Sequence, residues 1–136
     1  MAYVEELLRN DADGKISFGN HSLPEKKKVQ DFKSGNDMLK VKTYNEMTRL
    51  EKNDLFVYES EPGSSVFGFS ENDNGVSFEV FAAEDVQITV GLKEDTEYSV
   101  YIDDMNTGKM KTNLSGKLSI SVETKGDTGV KVRIVK

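Results

Sequence analysis

From about Asn74 to the end of the chain, apolar residues fall on every second position in short runs. Val76, Phe78 and Val80 form one run, Val86, Ile88 and Val90 the next, and Tyr98, Val100 and Ile102 a third. Leu118, Ile120 and Val122 repeat the pattern, as do Val130, Val132 and Ile134; Met110, Thr112 and Leu114 follow it more weakly. A period of two places each set on one face of a strand and leaves the intervening Ser, Thr, Lys and Glu on the other. Many of these apolar residues are β-branched, which suits a pleated, half-buried surface.

Turn residues punctuate the runs. Asn74-Gly75 reads as a tight hairpin, because both residues tolerate positive φ. Asp103 to Gly108 reads as a longer hairpin loop, and Ser115-Gly116 and Gly126-Asp127-Thr128-Gly129 as two further turns. Runs spaced about ten residues apart have the rhythm of a sandwich or barrel. The predicted fold is all-β: an antiparallel β-sandwich over residues 64–136, completed by a β-rich region over residues 1–63, the two forming one cooperative unit. The inward positions after Asn74 are few for the chain entropy they must offset, so the N-terminal region is expected to complete the core.

That N-terminal region is less regular. Asp13-Gly14 marks a turn between Tyr3–Arg9 and Lys15–Gly19, which favours a hairpin. The rival is a short helix using Val4, Leu7 and Leu8. Pro24 to Lys28 reads as a solvated connector, Ser34 to Asp37 as a turn and Met38 to Thr43 as a strand. Tyr44 to Leu50 fits helix or strand. Leu55-Phe56-Val57-Tyr58 is a strand with apolar residues on both faces, and Pro62-Gly63 ends it.

Composition narrows the chemistry. The chain has 136 residues, 36% hydrophobic and 31% charged, with a net charge of −6. That sign repels phosphate backbones and anionic lipid, so neither nucleic acid nor membrane is an expected partner. With no cysteine there is no disulfide, thiolate metal site or cysteine nucleophile. The first eight residues carry no basic leader, no run approaches the roughly 20 apolar residues of a membrane span, and the expected compartment is the cytoplasm.

Catalytic constellations are not evident. His21 is the single histidine and is expected on the surface; no Gly-x-Ser-x-Gly marks a nucleophile for it. Asp11-Ala12-Asp13-Gly14 and Asn72-Asp73-Asn74-Gly75 resemble pieces of calcium loops but lack the spaced acids of an EF-hand. Neither a dinucleotide fingerprint nor a P-loop occurs. No catalytic residue, metal ligand or cofactor is assigned. Carbohydrate binding requires aromatic platforms, and with no Trp the candidates are Tyr44, Phe56, Tyr58 and Tyr101. Tyr101 alternates with Val100 and Ile102 and therefore faces the other side of its strand. The competing use of these aromatics is to cover a sheet face or meet another subunit.

Two resemblances add expectations. Leu92-Lys93-Glu94-Asp95-Thr96-Glu97-Tyr98 resembles the tyrosine corner of fibronectin type III domains, with Glu94 in place of a proline. The resemblance implies a Tyr98 hydroxyl bonded back to upstream backbone between two strands. Over nearly its whole length the chain also resembles a family of short bacterial proteins labelled endosialidase or endosialidase-like. The matching stretches are Asp13–Asn20, Leu50–Asn53, Val57–Ser60, Gly75–Phe78, Asp95–Asp103 and Gly108–Leu118. The label implies action on sialylated polymer, for which Arg9, Arg49 and Arg133 would have to converge on a carboxylate. A non-catalytic β region related to part of a larger enzyme is the other implication. On the residues themselves, the favoured reading is a non-catalytic structural or interaction protein that forms homo-oligomers, with carbohydrate as the alternative partner.

Overall fold

A computed structural model describes residues 2–124 and 128–136. Thirteen strands and one short 3-10 turn (Ala12–Gly14) make up the described regular structure. In chain order the strands are β1 (Leu8–Asn10), β2 (Ile16–Phe18), β3 (Lys27–Ser34), β4 (Asp37–Tyr44), β5 (Met47–Lys52), β6 (Leu55–Glu61) and β7 (Ser65–Asn72). They continue as β8 (Gly75–Phe81), β9 (Val86–Gly91), β10 (Glu97–Ile102), β11 (Met105–Lys111), β12 (Lys117–Val122) and β13 (Val130–Val135).

The strands form two antiparallel sheets that pack as a β-sandwich. The first sheet has the order β1-β2-β7-β8-β13-β10-β11, the second β12-β9-β6-β5-β4-β3. Each sheet draws strands from both sides of residue 64, and one apolar core runs from Leu8 to Ile134. The alternating positions of the C-terminal half supply much of that core: Phe78, Ile88, Val100, Ile120 and Val132 are all buried. Burying a side chain of this size stabilises by about 1.5–3 kcal/mol.

The tyrosine corner forms as expected. Tyr98 is buried where the chain passes from β9 in the second sheet to β10 in the first, and the Lys93 N–H donates to its hydroxyl at 3.2 Å. The Asp13-Gly14 region joins β1 to β2 as a hairpin, with Leu8 opposite Phe18, and not as a helix. Tyr44 to Leu50 is a strand, a turn and a strand. Lys27 and Lys28 belong to β3, so the solvated connector is shorter than expected.

Two expectations fail near β11. Asp103 to Gly108 is not a long loop. Asp103 and Asp104 alone make the turn, at φ 50° and 67°, and Ile102 sits opposite Met105. Aspartate tolerates the left-handed region, so two residues suffice. The weak alternation at Met110, Thr112 and Leu114 buries Thr112 alone: Met110 lies in β11, an edge strand exposed along its whole length, and Leu114 in the turn that follows. Gly126 and Asp127 of the predicted turn at 126–129 lie outside the described residues.

Candidate functional site

The four aromatic candidates do not form one site. Tyr58 is 0% exposed and cannot stack on a ligand. A shift in register between Leu50 and Glu51 makes β6 bulge at Val57, so Val57 and Tyr58 are both buried. The Tyr58 ring meets Phe18, Phe69 and Phe78 edge-on, at centroid distances of 5.2, 6.4 and 5.6 Å. Burial pushes its phenol far above the ordinary range.

The hydroxyl of Tyr58 opens onto a buried polar network. It lies 2.8 Å from the Ser64 hydroxyl, which lies 2.6 Å from that of Ser60. Ser64 and Thr48 exchange two bonds: the Ser64 N–H donates to Thr48 Oγ1 at 3.1 Å, and Thr48 Oγ1 donates to the Ser64 carbonyl at 2.8 Å. Thr43 Oγ1 lies 2.8 Å from Thr48 Oγ1 and accepts the Asn20 N–H at 2.9 Å. His21, expected on the surface, is only 4% exposed, with Nδ1 2.7 Å from the Ser65 hydroxyl. The reason is tertiary. The segment after β2 runs beneath the corner that links β6 to β7, and buried backbone there must find hydroxyl partners. Gly19 permits the close approach: at φ 96°, a Cβ on it would come within 2.4 Å of the Ser64 carbonyl oxygen. His21 and Ser65 are both buried, so this network ties strands together and offers no surface to a substrate.

The other three aromatics are half-exposed and lie on two opposite faces. Tyr101 is on the outer face of the first sheet, opposite Arg133 on β13, whose guanidinium carbon sits 4.0 Å from the ring centroid. Tyr44 and Phe56 lie on the outer face of the second sheet. The Lys26 ammonium stands 5.6 Å from the Tyr44 ring, and Phe56 is flanked by Arg49 at 5.4 Å and Lys117 at 4.6 Å. Each ring thus already carries a cation, a contact worth about 0.5–1 kcal/mol at exposed sites.

The three arginines do not converge. Arg9 and Arg133 are on the outer face of the first sheet, in β1 and β13, with β2, β7 and β8 between them. Arg49 is on the outer face of the second sheet and pairs with Glu51 at 3.2 Å and Glu59 at 3.3 Å. No carboxylate clamp is built from them.

Two aromatics that sequence reasoning missed lie on the first sheet. Phe67 and Phe81 meet edge-on at 5.5 Å, and the Arg9 guanidinium lies 5.8 Å from the Phe67 centroid. Beside them is a shallow hollow of about 250 Å³, bordered by Phe67, Glu79, Lys131 and Arg133. The larger hollow, about 390 Å³, lies among turn residues at Asn72, Asp73, Leu92 and Lys93. Among the described residues, no three His, Asp or Glu side chains gather as metal ligands, and no helix is long and apolar enough to cross a membrane.

Arg9 also anchors Asp11, at 2.8 Å. Partial burial pulls the Asp11 carboxyl upward, but the Ser17 hydroxyl and the Arg9 guanidinium outweigh it and hold it below its ordinary value. A carboxyl depressed by folding stabilises fully above its unfolded-state value, and that contribution is lost as pH falls through the folded one. The stability gap between wild type and Asp11→Asn is therefore expected to be widest near neutrality and to close on acidification below about pH 4. Urea midpoints measured across pH test this; a gap that stays constant to strong acid would contradict it.

β11 and β12 end their sheets on one flank. At the opposite flank β1 and β3 touch, and the Asn10 side chain donates to the Lys33 carbonyl at 3.1 Å. Among the described residues, no further strand pairs with the outer edge of β11. Met105 sits opposite Ile102, and Met110 opposite Tyr98, so both face the inner side of the sheet. Yet Met105 is 72% exposed and Met110 40%. Leu114, in the turn leading to β12, is 84% exposed. The chain matches no family model, no curated protein and no solved structure.

Proposed function

We propose that this chain is a non-catalytic interaction protein that assembles with copies of itself, acting in the cytoplasm. The observation that supports this most is the uncovered inner side of β11. Two methionines occupy positions that a sandwich normally buries, and both remain exposed. Met105, Met110 and Leu114 are three of the six large apolar side chains exposed among the described residues, and apolar surface gathered on one flank marks an interaction site more often than scattered single residues do. A second copy seated on this flank would bury apolar surface and close a free sheet edge. The cation-capped aromatics fit the same reading, because they finish the sheet faces instead of standing open. Light scattering over a concentration series tests it: mass is expected to rise to a multiple of the monomer, and a monomer at every concentration would contradict it.

A carbohydrate partner is the second reading, favoured by one feature. The hollow beside Phe67 brings an aromatic ring together with Lys131, Arg133 and Glu79, a combination able to stack on a sugar and bond its hydroxyls or a carboxylate. A glycan array would show binding lost in Phe67→Ala if this reading holds. The resemblance to endosialidase-like proteins then fits a glycan-binding role better than hydrolysis, since the arginines lie on opposite faces.

A further inference from the structure

We infer that self-association runs through the β12 edge, two copies pairing antiparallel about a twofold axis with Ile120 opposite Ile120, so that Lys117 of each meets Glu123 of the other. This rests on the self-assembly reading above and names its surface and register.

The two sheets present four edges, β1, β11, β12 and β3. β1 has only three residues. β3 carries Lys27, Lys28 and Lys33 and is broken by a register shift at Gln30 and Asp31. β11 is broken at Thr107 and carries Lys109 and Lys111. Short length, lysines and bulges are the devices that keep an edge from pairing with another chain. β12 lacks them over most of its length. Its six residues match β9 without a shift, from Lys117 opposite Gly91 to Val122 opposite Val86, with a charge only at the first position.

Backbone direction fixes which groups are offered. On the β9 side, the Leu92 N–H donates to the Gly116 carbonyl at 2.7 Å. Lys117 is turned the other way: its N–H donates to Asn113 Oδ1 at 2.9 Å and its carbonyl accepts the Asn113 N–H at 3.0 Å. An antiparallel strand alternates, so the N–H and C=O of Ser119 and Ser121 also point off the sheet. Among the described residues no other strand pairs with them.

Asn113 occupies the backbone groups of Lys117, which leaves Ser119 and Ser121 as the free ladder. Pairing Ser119 of one copy with Ser121 of the other satisfies both, twice over by symmetry. That register sets Leu118 against Val122 and Ile120 against Ile120 on the inner side, continuing the apolar layer across the axis. On the outer side it sets Lys117 against Glu123, giving two opposite-charge pairs from one strand sequence. A register two residues away in either direction loses this match. Leu114, exposed in the same turn as Asn113, lies at the end of this edge.

The test is a charge-reversal cycle read by sedimentation equilibrium. Lys117→Glu and Glu123→Lys each replace two attractive pairs by two repulsive ones and are expected to weaken association about tenfold. The double variant Lys117→Glu/Glu123→Lys restores the pairs and should return to within about threefold of wild type. Ser121→Pro removes an N–H that the β9 ladder does not use, so the fold should persist while association is lost. Weakening without rescue in the double variant would overturn the register. Association indifferent to Ser121→Pro, in a protein with a wild-type circular dichroism spectrum, would overturn the β12 edge and leave self-assembly through another surface. A wild type that never associates would overturn the underlying reading as well.

Discussion

Replacing Tyr58 by alanine is expected to cost about 3–5 kcal/mol, a large share of the roughly 5–15 kcal/mol that holds a domain of this size together. The ring is the centre of the aromatic core, touching Phe18, Phe69 and Phe78 from β2, β7 and β8 while belonging to β6 of the other sheet. Its removal leaves a cavity at the seam between the sheets, and the antiparallel ladders on both sides resist collapse into it. Its hydroxyl adds a second cost, since Ser64 would lose a partner in a buried site. Tyr58→Phe separates the two effects: it keeps the ring and should cost only about 1–3 kcal/mol. Urea denaturation of the three proteins checks the ordering. Equal losses in both variants would mean that the hydroxyl network, and not the ring, dominates.

Gly75→Ala is expected to be nearly as damaging, at about 3 kcal/mol. Gly75 begins β8 at φ 148°, opposite Val135, and a Cβ there would lie 1.9 Å from the Ile134 carbonyl oxygen. Neither the backbone angle nor the neighbouring strand can give without disturbing the β8–β13 pairing at the middle of the first sheet. Gly14→Ala is the control. Gly14 has φ 75° but open space around it, so its cost is the left-handed penalty alone, about 1–2 kcal/mol. A thermal melt of each variant distinguishes them, and equal shifts would remove the steric part of the argument.

The C-terminal strands were legible because their inward residues are apolar and their outward ones polar, a contrast that periodicity detects directly. Tight turns helped: Ser115-Gly116 falls where the chain reverses, and Asn74-Gly75 lies one residue past the Asp73-Asn74 turn that joins β7 to β8. Tyr98 was legible for a different reason, a local motif whose bond spans five residues. The N-terminal half hid itself in two ways. Bulges in β3 and β6 break the period of two, so Val57 and Tyr58 read as opposite faces when both are buried. Thr43, Thr48, Ser60, Ser64 and Ser65 look solvent-facing by type, yet they are buried because they satisfy one another and the backbone of Asn20 and His21. Such a network depends on residues more than forty positions apart, which no local pattern reveals.

The candidate surfaces were legible only in part. Exposure of Tyr101 followed from alternation with Val100 and Ile102. The separation of Arg9 and Arg133 from Arg49 did not, because it depends on which sheet each strand joins. Phe67 was missed for a related reason: a register shift between Phe67 and Ser70 disturbs the alternation of β7, and Val66 and Phe69 are both buried. The open flank required the sheet order itself, since only that order reveals β11 and β12 as edges.

Amide hydrogen exchange at Ser119 and Ser121, followed by NMR as the protein is diluted, reads the claim of edge assembly at the groups themselves. These two N–H groups should exchange slowly in concentrated solution and rapidly in dilute solution, while Leu118 and Ile120, bonded to β9, stay protected throughout. Fast exchange at Ser119 and Ser121 at every concentration, with the inner pair still protected, would contradict the account.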